Sequence, residues 1–373
     1  MISRQVSLRA SASSLVLSRF SQLSANLSPS KASALLQLTF RLILYIGLLA
    51  NVRAVPGGWH WRVFWPITKY NLQFLAFRLR NFLFTLLDRK ARAQGIARYI
   101  DQTSPVGTHP FDFKVIYRSR VSVDESDFNM HMSNSSYPKI LDCTRTKMAT
   151  HLFPHFLRAG GVVPIASTHF HFVKEIPIFA KYEVHAGIGA WDEKWFYVVA
   201  RFVTKRKLKA TDSSQATTPL TKSESSLLRK LFGSLVEDED TVLHTVAVAR
   251  CCYKLGRITV PPSVLMATNG VCVYPNEVTM TDLDPSFTGP VDAGLQYSAT
   301  NPPHTWNNHA RDLASKPKKL REFYKGGWRQ DSTRWWDSAM GEGGPMKEKL
   351  RERLEICRRL FDGMTGVRQF GEQ

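Results

Sequence analysis

Between residues 111 and 255, short runs of alternating apolar and polar residues are interrupted by one stretch of helical spacing, and that order of elements sets the expected fold. F-D-F-K-V-I-Y-R-S-R-V, residues 111–121, follows the period of two that turns successive side chains to opposite faces of a strand. Over 137–153 the spacing changes. Ile140, Leu141, Met148 and Leu152 gather on one face of a helix, and Pro154 followed by Gly160 and Gly161 ends it. Strands are predicted at 162–173, 181–190, 194–204 and 242–255. Between the last two, residues 205–241 carry K-R-K-L-K, a Ser/Thr stretch and E-D-E-D, the composition of a solvated insertion in a hairpin. One long helix followed by antiparallel strands predicts an α+β domain over 108–275, with the sheet wrapped around the helix and burying its apolar stripe.

Outside that block the pattern differs. Residues 1–33 are rich in Ser, Ala, Leu and Arg without acids, which fits either a mitochondrial leader or a disordered tail. Residues 34–50 are nearly all apolar, interrupted by Arg41 and slightly short of the roughly 20 residues that cross a bilayer. Both a spanning and an interfacial helix satisfy this run. W-H-W-R-V-F-W-P at 59–66 mixes aromatic and basic groups in a way that suits a lipid headgroup layer or a segment packed on the globular domain, and 71–90 continues apolar with Arg78, Arg80 and Arg89, as a second interfacial helix or a helix covering the sheet would. The whole stretch 34–95 is therefore expected to be a membrane-associated helical region. Residues 276–373 are expected to form an irregular Pro/Asn/Trp-rich extension ending in a helix, where Leu350, Leu354, Cys357 and Phe361 share a face that docks on the domain or on membrane. No internal repeat is present.

Charge sharpens the picture at one end. Lys plus Arg number 50 against 31 for Asp plus Glu, a formal +19, yet no acid occurs before Asp88. A surplus concentrated in the leader points to a membrane surface or import machinery, and no zinc-finger spacing or RNA-binding signature accompanies it, so nucleic acid is not an expected partner. Five cysteines, Cys143, Cys251, Cys252, Cys272 and Cys357, show no framework spacing and are expected to be reduced thiols. The expected location is membrane-associated, at the endoplasmic reticulum or the mitochondrion, with the globular domain facing a reducing compartment.

The densest chemistry lies in E-S-D-F-N-M-H-M-S-N-S-S-Y, residues 125–137. Asp127, Asn129 and His131 occupy alternate positions, which an extended backbone would project to one side. Ser133, Asn134, Ser135 and Ser136 before Tyr137 and Pro138 mark a helix start, whose free N–H groups would lie beside that acid/base set. The same residues also suit a purely structural role, with Asp127 and Asn129 capping turns and His131 buried and hydrogen-bonded. His169 and His171 share a strand face, but no carboxylate or thiol cluster joins them, so no metal is expected. Trp191 and Trp195 are expected as core anchors. Cys251 and Cys252, pointing to opposite faces, suggest neither a disulfide nor a nucleophile pair, and the chain has no G-x-S-x-G serine elbow.

This segment resembles the active-site pattern D-x-D-x-N-x-H-x-N-N-x-x-Y of the hotdog-fold acyl thioesterases. Asp127, Asn129, His131, Asn134 and Tyr137 match it, while Glu125 replaces the first Asp and Ser133 the next-to-last Asn. Residues 160–177, 191–203 and 254–262 are similar to the thioesterase superfamily member six group and its fungal relatives, and the likeness extends over roughly 55–275. The resemblance implies a hotdog fold that dimerises edge to edge and hydrolyses acyl-CoA or acyl-carrier-protein thioesters without cofactor or metal, possible roles lying in lipid or secondary metabolism. It implies Asp127 as base or nucleophile, Asn129 and His131 as its catalytic partners, and Asn134, Ser135 and Tyr137 around the substrate, the amides near 135–137 polarising the thioester carbonyl. Two alternatives stay open: a non-catalytic acyl- or lipid-binding scaffold, and a hydratase or dehydratase on the same fold.

Overall fold

A computed structural model describes residues 29–84, 88–206, 241–274, 297–341 and 344–371. Residues 1–28 of the basic leader and nearly all of the expected insertion at 205–241 lie outside the described residues. The chain divides into two compact units, Met1–Gly58 with Ser122–Asp124, and Trp59–Val121 with Glu125–Gln373.

The first unit holds helix α1, Pro29–Ala50, of which Ser30–Ala50 is long and apolar enough to cross a membrane. Its described side chains are all exposed, Leu36 and Leu49 at 73% and 72%. Leucine and isoleucine in that number do not hold a helix in water unless something apolar covers them.

In the second unit, α2 (Gly58–Phe84) runs beside α3 (Arg89–Thr103), whose start is fixed by the Asp88 carboxylate accepting the amides of Lys90 and Ala91 at 2.8 and 2.9 Å. The two helices meet through Phe77 stacked on Tyr99 at 4.2 Å, and through the Asn81 side-chain amide donating to the Arg92 carbonyl at 3.1 Å. Strand β1 (Lys114–Arg120) leads to α4 (Ser136–Leu152), then a short α5 (Pro154–Arg158), then β2 (Ile165–Phe172), β3 (Lys181–Trp191), β4 (Phe196–Lys205) and β5 (Thr241–Cys251). The sheet is antiparallel in the order β1-β3-β4-β5-β2.

Alternation along the strands sorts the side chains. Tyr182, Val184, Ala186 and Ile188 of β3 and Phe196, Val198, Ala200 and Phe202 of β4 join the main core with Ile140, Leu141, Met148 and Leu152 of α4. Tyr197, Val199, Val246 and Val248 point the other way and are also buried. Both faces are covered, which is why these strands read as nearly continuous apolar runs. A sheet wrapped around a buried helix is the hotdog arrangement expected above.

Three strand boundaries depart from expectation by three residues or more, the first being β1, which begins at Lys114 rather than at residue 111. β2 begins at Ile165 because Val162 instead pairs with Lys254, and β5 ends at Cys251 because the Cys252 amide donates to the Pro164 carbonyl at 3.0 Å. The chain then forms a small hairpin, β6 (Tyr253–Leu255) and β7 (Ile258–Val260), turning at Gly256 with φ 61°, before α6 (Pro262–Thr268).

The largest departure lies after residue 296, where an irregular extension ending in a single helix was expected. Helices α7 (Arg311–Ser315), α8 (Pro317–Tyr324), α9 (Trp335–Met340) and α10 (Pro345–Gly371) occupy most of it, and Trp306, Tyr324, Trp335 and Trp336 are part of the main core. Trp306 Nε1 donates to Asp101 at 3.1 Å, and Arg311 pairs with the same carboxylate. Cys357 and Phe361 of α10 cover the outer face of the sheet. Arg353 lies 4.0 Å over the Phe111 ring and donates to the Ile188 and Gly189 carbonyls.

Candidate active site

The segment joining β1 to α4 does not run extended, so Asp127, Asn129 and His131 are not displayed on one side of a strand. Ser126 and Met132 bridge, and 127–130 between them form a tight turn in which Met130 takes φ 62°. The Asp127 amide donates to the His131 carbonyl at 2.8 Å, closing the turn. Asp127 Oδ1 accepts the amides of Asn129 at 3.0 Å and His131 at 3.2 Å, so the carboxylate organises the loop that carries its own candidate partners. Oδ2 takes no part in those contacts. Phe128 at the tip is 93% exposed, and Asn129 is exposed beside it.

His131 is held from the other side. Its backbone pairs with Pro177, the Met132 amide donates to the Ile176 carbonyl at 2.8 Å, and the Ile178 amide donates to Met130 at 2.8 Å. Nδ1 lies 3.1 Å from Glu175 Oε2, at ion-pair distance but outside hydrogen-bond geometry. Glu175 was not among the residues singled out from the sequence; its signal was only an acid in the turn K-E-I-P after an apolar strand.

The helix start is where the serine cluster predicted it, within one residue. Ser135 precedes α4 without capping it through its side chain, and the Ser136 hydroxyl donates to the Glu125 carbonyl at 3.0 Å. The Ser136 amide is taken by the Ser133 carbonyl at 2.8 Å, so the cluster offers fewer free donors than the sequence suggested. The amides of Ser135 and Tyr137 remain in the first turn, where no carbonyl four residues back belongs to the helix. Asn134 and Ser135 are exposed, whereas Tyr137 is buried at 2% and packs edge-on against Phe172 and Phe202 at 5.1 and 4.9 Å. Burial pushes the Tyr137 phenol up, Thr245 opposes this, and the Glu175 and Asp127 carboxylates add to the rise. Tyr137 is therefore a neutral wall.

Glu125, at the position where the pattern has its first Asp, is fully buried and pairs with Arg62 of α2 at 2.7 Å. Burial works against the Arg62 charge, but Glu125 and Tyr117 outweigh it and hold the guanidinium protonated. The Glu125 carbonyl also accepts the Ser133 amide at 2.9 Å, so this pair anchors the loop between the turn and α4.

His244 supports the site from β5. Its Nδ1 is 2.9 Å from the Glu175 carbonyl and 3.2 Å from that of Lys174, which requires a proton there, and Nε2 is 2.8 Å from the Thr204 hydroxyl. Burial lowers its pKa, against the pull of the two carbonyls. The signal for His244 was a lone histidine inside the apolar run V-L-H-T-V.

A second histidine constellation is wired against catalysis. His155 Nε2 lies 2.6 Å from Ser104 Oγ, but Nδ1 is 2.9 Å from Arg158 Nη2, which can only donate. Nε2 therefore carries the proton, and Ser104 spends its own on the Ile100 carbonyl. The hydroxyl has no base. His169 and His171 are exposed on β2, and no group of three or more metal-ligating side chains occurs among the described residues. Trp191 is buried as expected, while Trp195 is half-buried under Arg250 at 4.8 Å.

Residues 121–222 match the model of the thioesterase-like superfamily, a span that contains the turn, α4 and the strands β2 to β4. This segment is a thioesterase-like domain. Over 245 residues the chain is 26% identical to a probable thioesterase of Emericella nidulans, covering 60% of this chain and 69% of the relative. A thioesterase of Penicillium oxalicum is 27% identical over 252 residues, 62% of this chain and 71% of the relative. A probable thioesterase of Saccharomyces cerevisiae is 39% identical over a shorter 85 residues, 22% of this chain and 37% of that relative.

Proposed function

We propose that this thioester hydrolase acts on acyl-CoA or acyl-carrier-protein thioesters at the junction of the 127–131 turn and the start of α4. The observation that carries the reading is Asp127 itself. Its Oδ1 is fixed by two amides of its own turn, which sets the carboxylate rigidly and leaves Oδ2 to take a proton from water. The hydroxide attacks the thioester carbonyl, the oxygen gaining charge is met by the amides of Ser135 and Tyr137 at the positive end of α4, and the C–S bond breaks as the proton held on Asp127 passes to the departing sulfur, releasing the thiol and the acid. His131 and Asn129 orient water and thioester, Asn134 and Ser135 border the entrance, and Tyr137 closes its apolar side.

The exposed apolar side chains of the β2 edge, Ile165 and Phe172, with Val173 beyond them, support pairing of two copies along that edge. Helix α1 supports residence at a membrane. Lipid or secondary metabolism is the setting this reading proposes.

A turn capped by its own aspartate is also what a scaffold protein would keep. Asp127→Asn separates the two, because the amide oxygen still accepts both backbone N–H groups while the proton acceptor is lost. Thiol release from a panel of acyl-CoA substrates is expected to fall at least about 100-fold with the unfolding midpoint unchanged. Release at the wild-type rate would make Asp127 structural only.

A further inference from the structure

Helix α2 is amphipathic in the wrong sense for water. At about 100° per residue, Trp61, Trp65, Leu72, Leu75, Leu79 and Phe82 fall within an arc of about 120°, and all six are exposed, between 43% and 63%. The opposite side is the one that packs. Val63 is buried, Phe77 meets Tyr99, and Arg158 lies 4.4 Å over Phe74. Lys69 and Arg80 border the apolar arc on one side and Arg78 on the other, all three exposed, and the helix contains no acid. A surface helix in water places its polar residues where this one places leucine and tryptophan.

We propose that α2 lies flat in the headgroup layer of a bilayer, with its exposed stripe against the acyl chains and Lys69, Arg78 and Arg80 at the level of anionic phosphates. Three observations select lipid over a protein partner. The borders are basic on both sides without one carboxylate, which complements an anionic surface. Trp61 and Trp65, with rings 4.8 Å apart, stand in the first two turns, where an amphipathic ring suits the interface. The link from α1, a helix apolar enough to cross a bilayer, to Gly58 is short, so an α1 inserted in lipid delivers the start of α2 to the membrane surface. The stripe then runs about 33 Å along the surface rather than through it. Flanking the stripe at Trp65, a cleft of about 810 Å³ also lined by Lys69, Tyr70, Arg118 and Lys147 opens between α2, β1 and α4 and gives a headgroup room beside cationic groups.

This assignment rests on the membrane residence read from α1, and one experiment separates the two. The full chain carrying a nitroxide at Trp65→Cys, Leu72→Cys or Leu79→Cys is reconstituted with vesicles of phosphatidylcholine and phosphatidylserine; the native cysteines are all buried. Flotation reports residence, and collision with oxygen against a water-soluble nickel chelate reports depth. The expected result is flotation, loss of nickel access and one shallow depth at all three positions. A depth that changes steadily from residue 65 to 79 overturns the flat orientation. Exclusion of both reagents means protein covers the stripe, and free nickel access means the face is wet; either overturns the proposal with residence intact. A chain that does not float overturns residence and proposal together.

Discussion

Helices α2 and α4 carry the same kind of apolar stripe at the same spacing, yet one faces out and the other is the centre of the molecule. In α4, Ile140, Leu141 and Leu152 are each 1% exposed or less, because five strands wrap them. In α2, Leu72, Leu75 and Leu79 are more than half exposed while the other side of the helix does the packing. Periodicity tells which residues share a face; it does not tell what that face meets. The sign of the burial has to come from neighbours, and in α2 the neighbours along the stripe are basic rather than apolar.

The sharpest way to break this comparison is one substitution made twice. Ile140→Asp is expected to abolish cooperative unfolding, since an unpaired carboxylate cannot be buried among those side chains. Leu75→Asp is expected to shift stability by less than about 0.5 kcal/mol, read by urea denaturation in a membrane-free buffer. Equal losses would mean that protein covers α2 as fully as α4.

The inner side of α2 should behave as α4 does. Arg62→Met removes the guanidinium that pairs with the fully buried Glu125 and is expected to cost about 3–5 kcal/mol. Adding Glu125→Gln should restore most of it, and failure to recover would point to lost packing rather than lost charge. Because Glu125 holds the loop before α4, thiol release should fall in the single variant and return in the double.

Acid offers a smaller lever. Burial lowers the pKa of His155 well below its ordinary value and that of His244 also, so the unfolded chain binds more protons than the native one in the window beneath that value. The stability from both is present above about pH 6.5 and lost as pH falls through their folded values. Melting temperatures measured down a pH series should drop there, and His244→Asn should flatten part of the slope while loosening the loop that carries Glu175. The stripe of α2 holds no titrating group and should not contribute.

The smallest effect is expected from the insertion. Replacing Lys207 to Asp238 with a short Gly/Asn turn should leave both melting temperature and turnover nearly unchanged, since its composition offers little apolar surface to order it. Loss of turnover alone would show that it covers substrate.

What could be read in the chain follows the range of the forces involved. β3 and β4 were legible to within two residues because alternation is local, and α4 because a serine cluster and Pro154 bracket its stripe. The 127–131 turn was not, since alternate polar positions look extended until Met130 takes a positive φ and Asp127 bonds back to two amides. Glu175 and His244 were hidden for another reason: each matters through a partner more than forty residues away in sequence. Helices α7 to α9 escaped because tryptophans such as Trp306 find their contacts across the fold, whereas α10 was legible from the spacing of Leu350, Leu354, Cys357 and Phe361.

The docking of α10 also fixes an order of events during synthesis. Tyr197, Val199, Val246 and Val248 belong to strands made well before Cys357 and Phe361, which cover them. While the polypeptide is still being made, a finished sheet therefore shows a bare apolar face, and that interval is when a chaperone has something to hold. A ribosome that stalls before α10 would leave a product folded on one side and adhesive on the other, so degradation of stalled chains should depend on whether α10 has emerged.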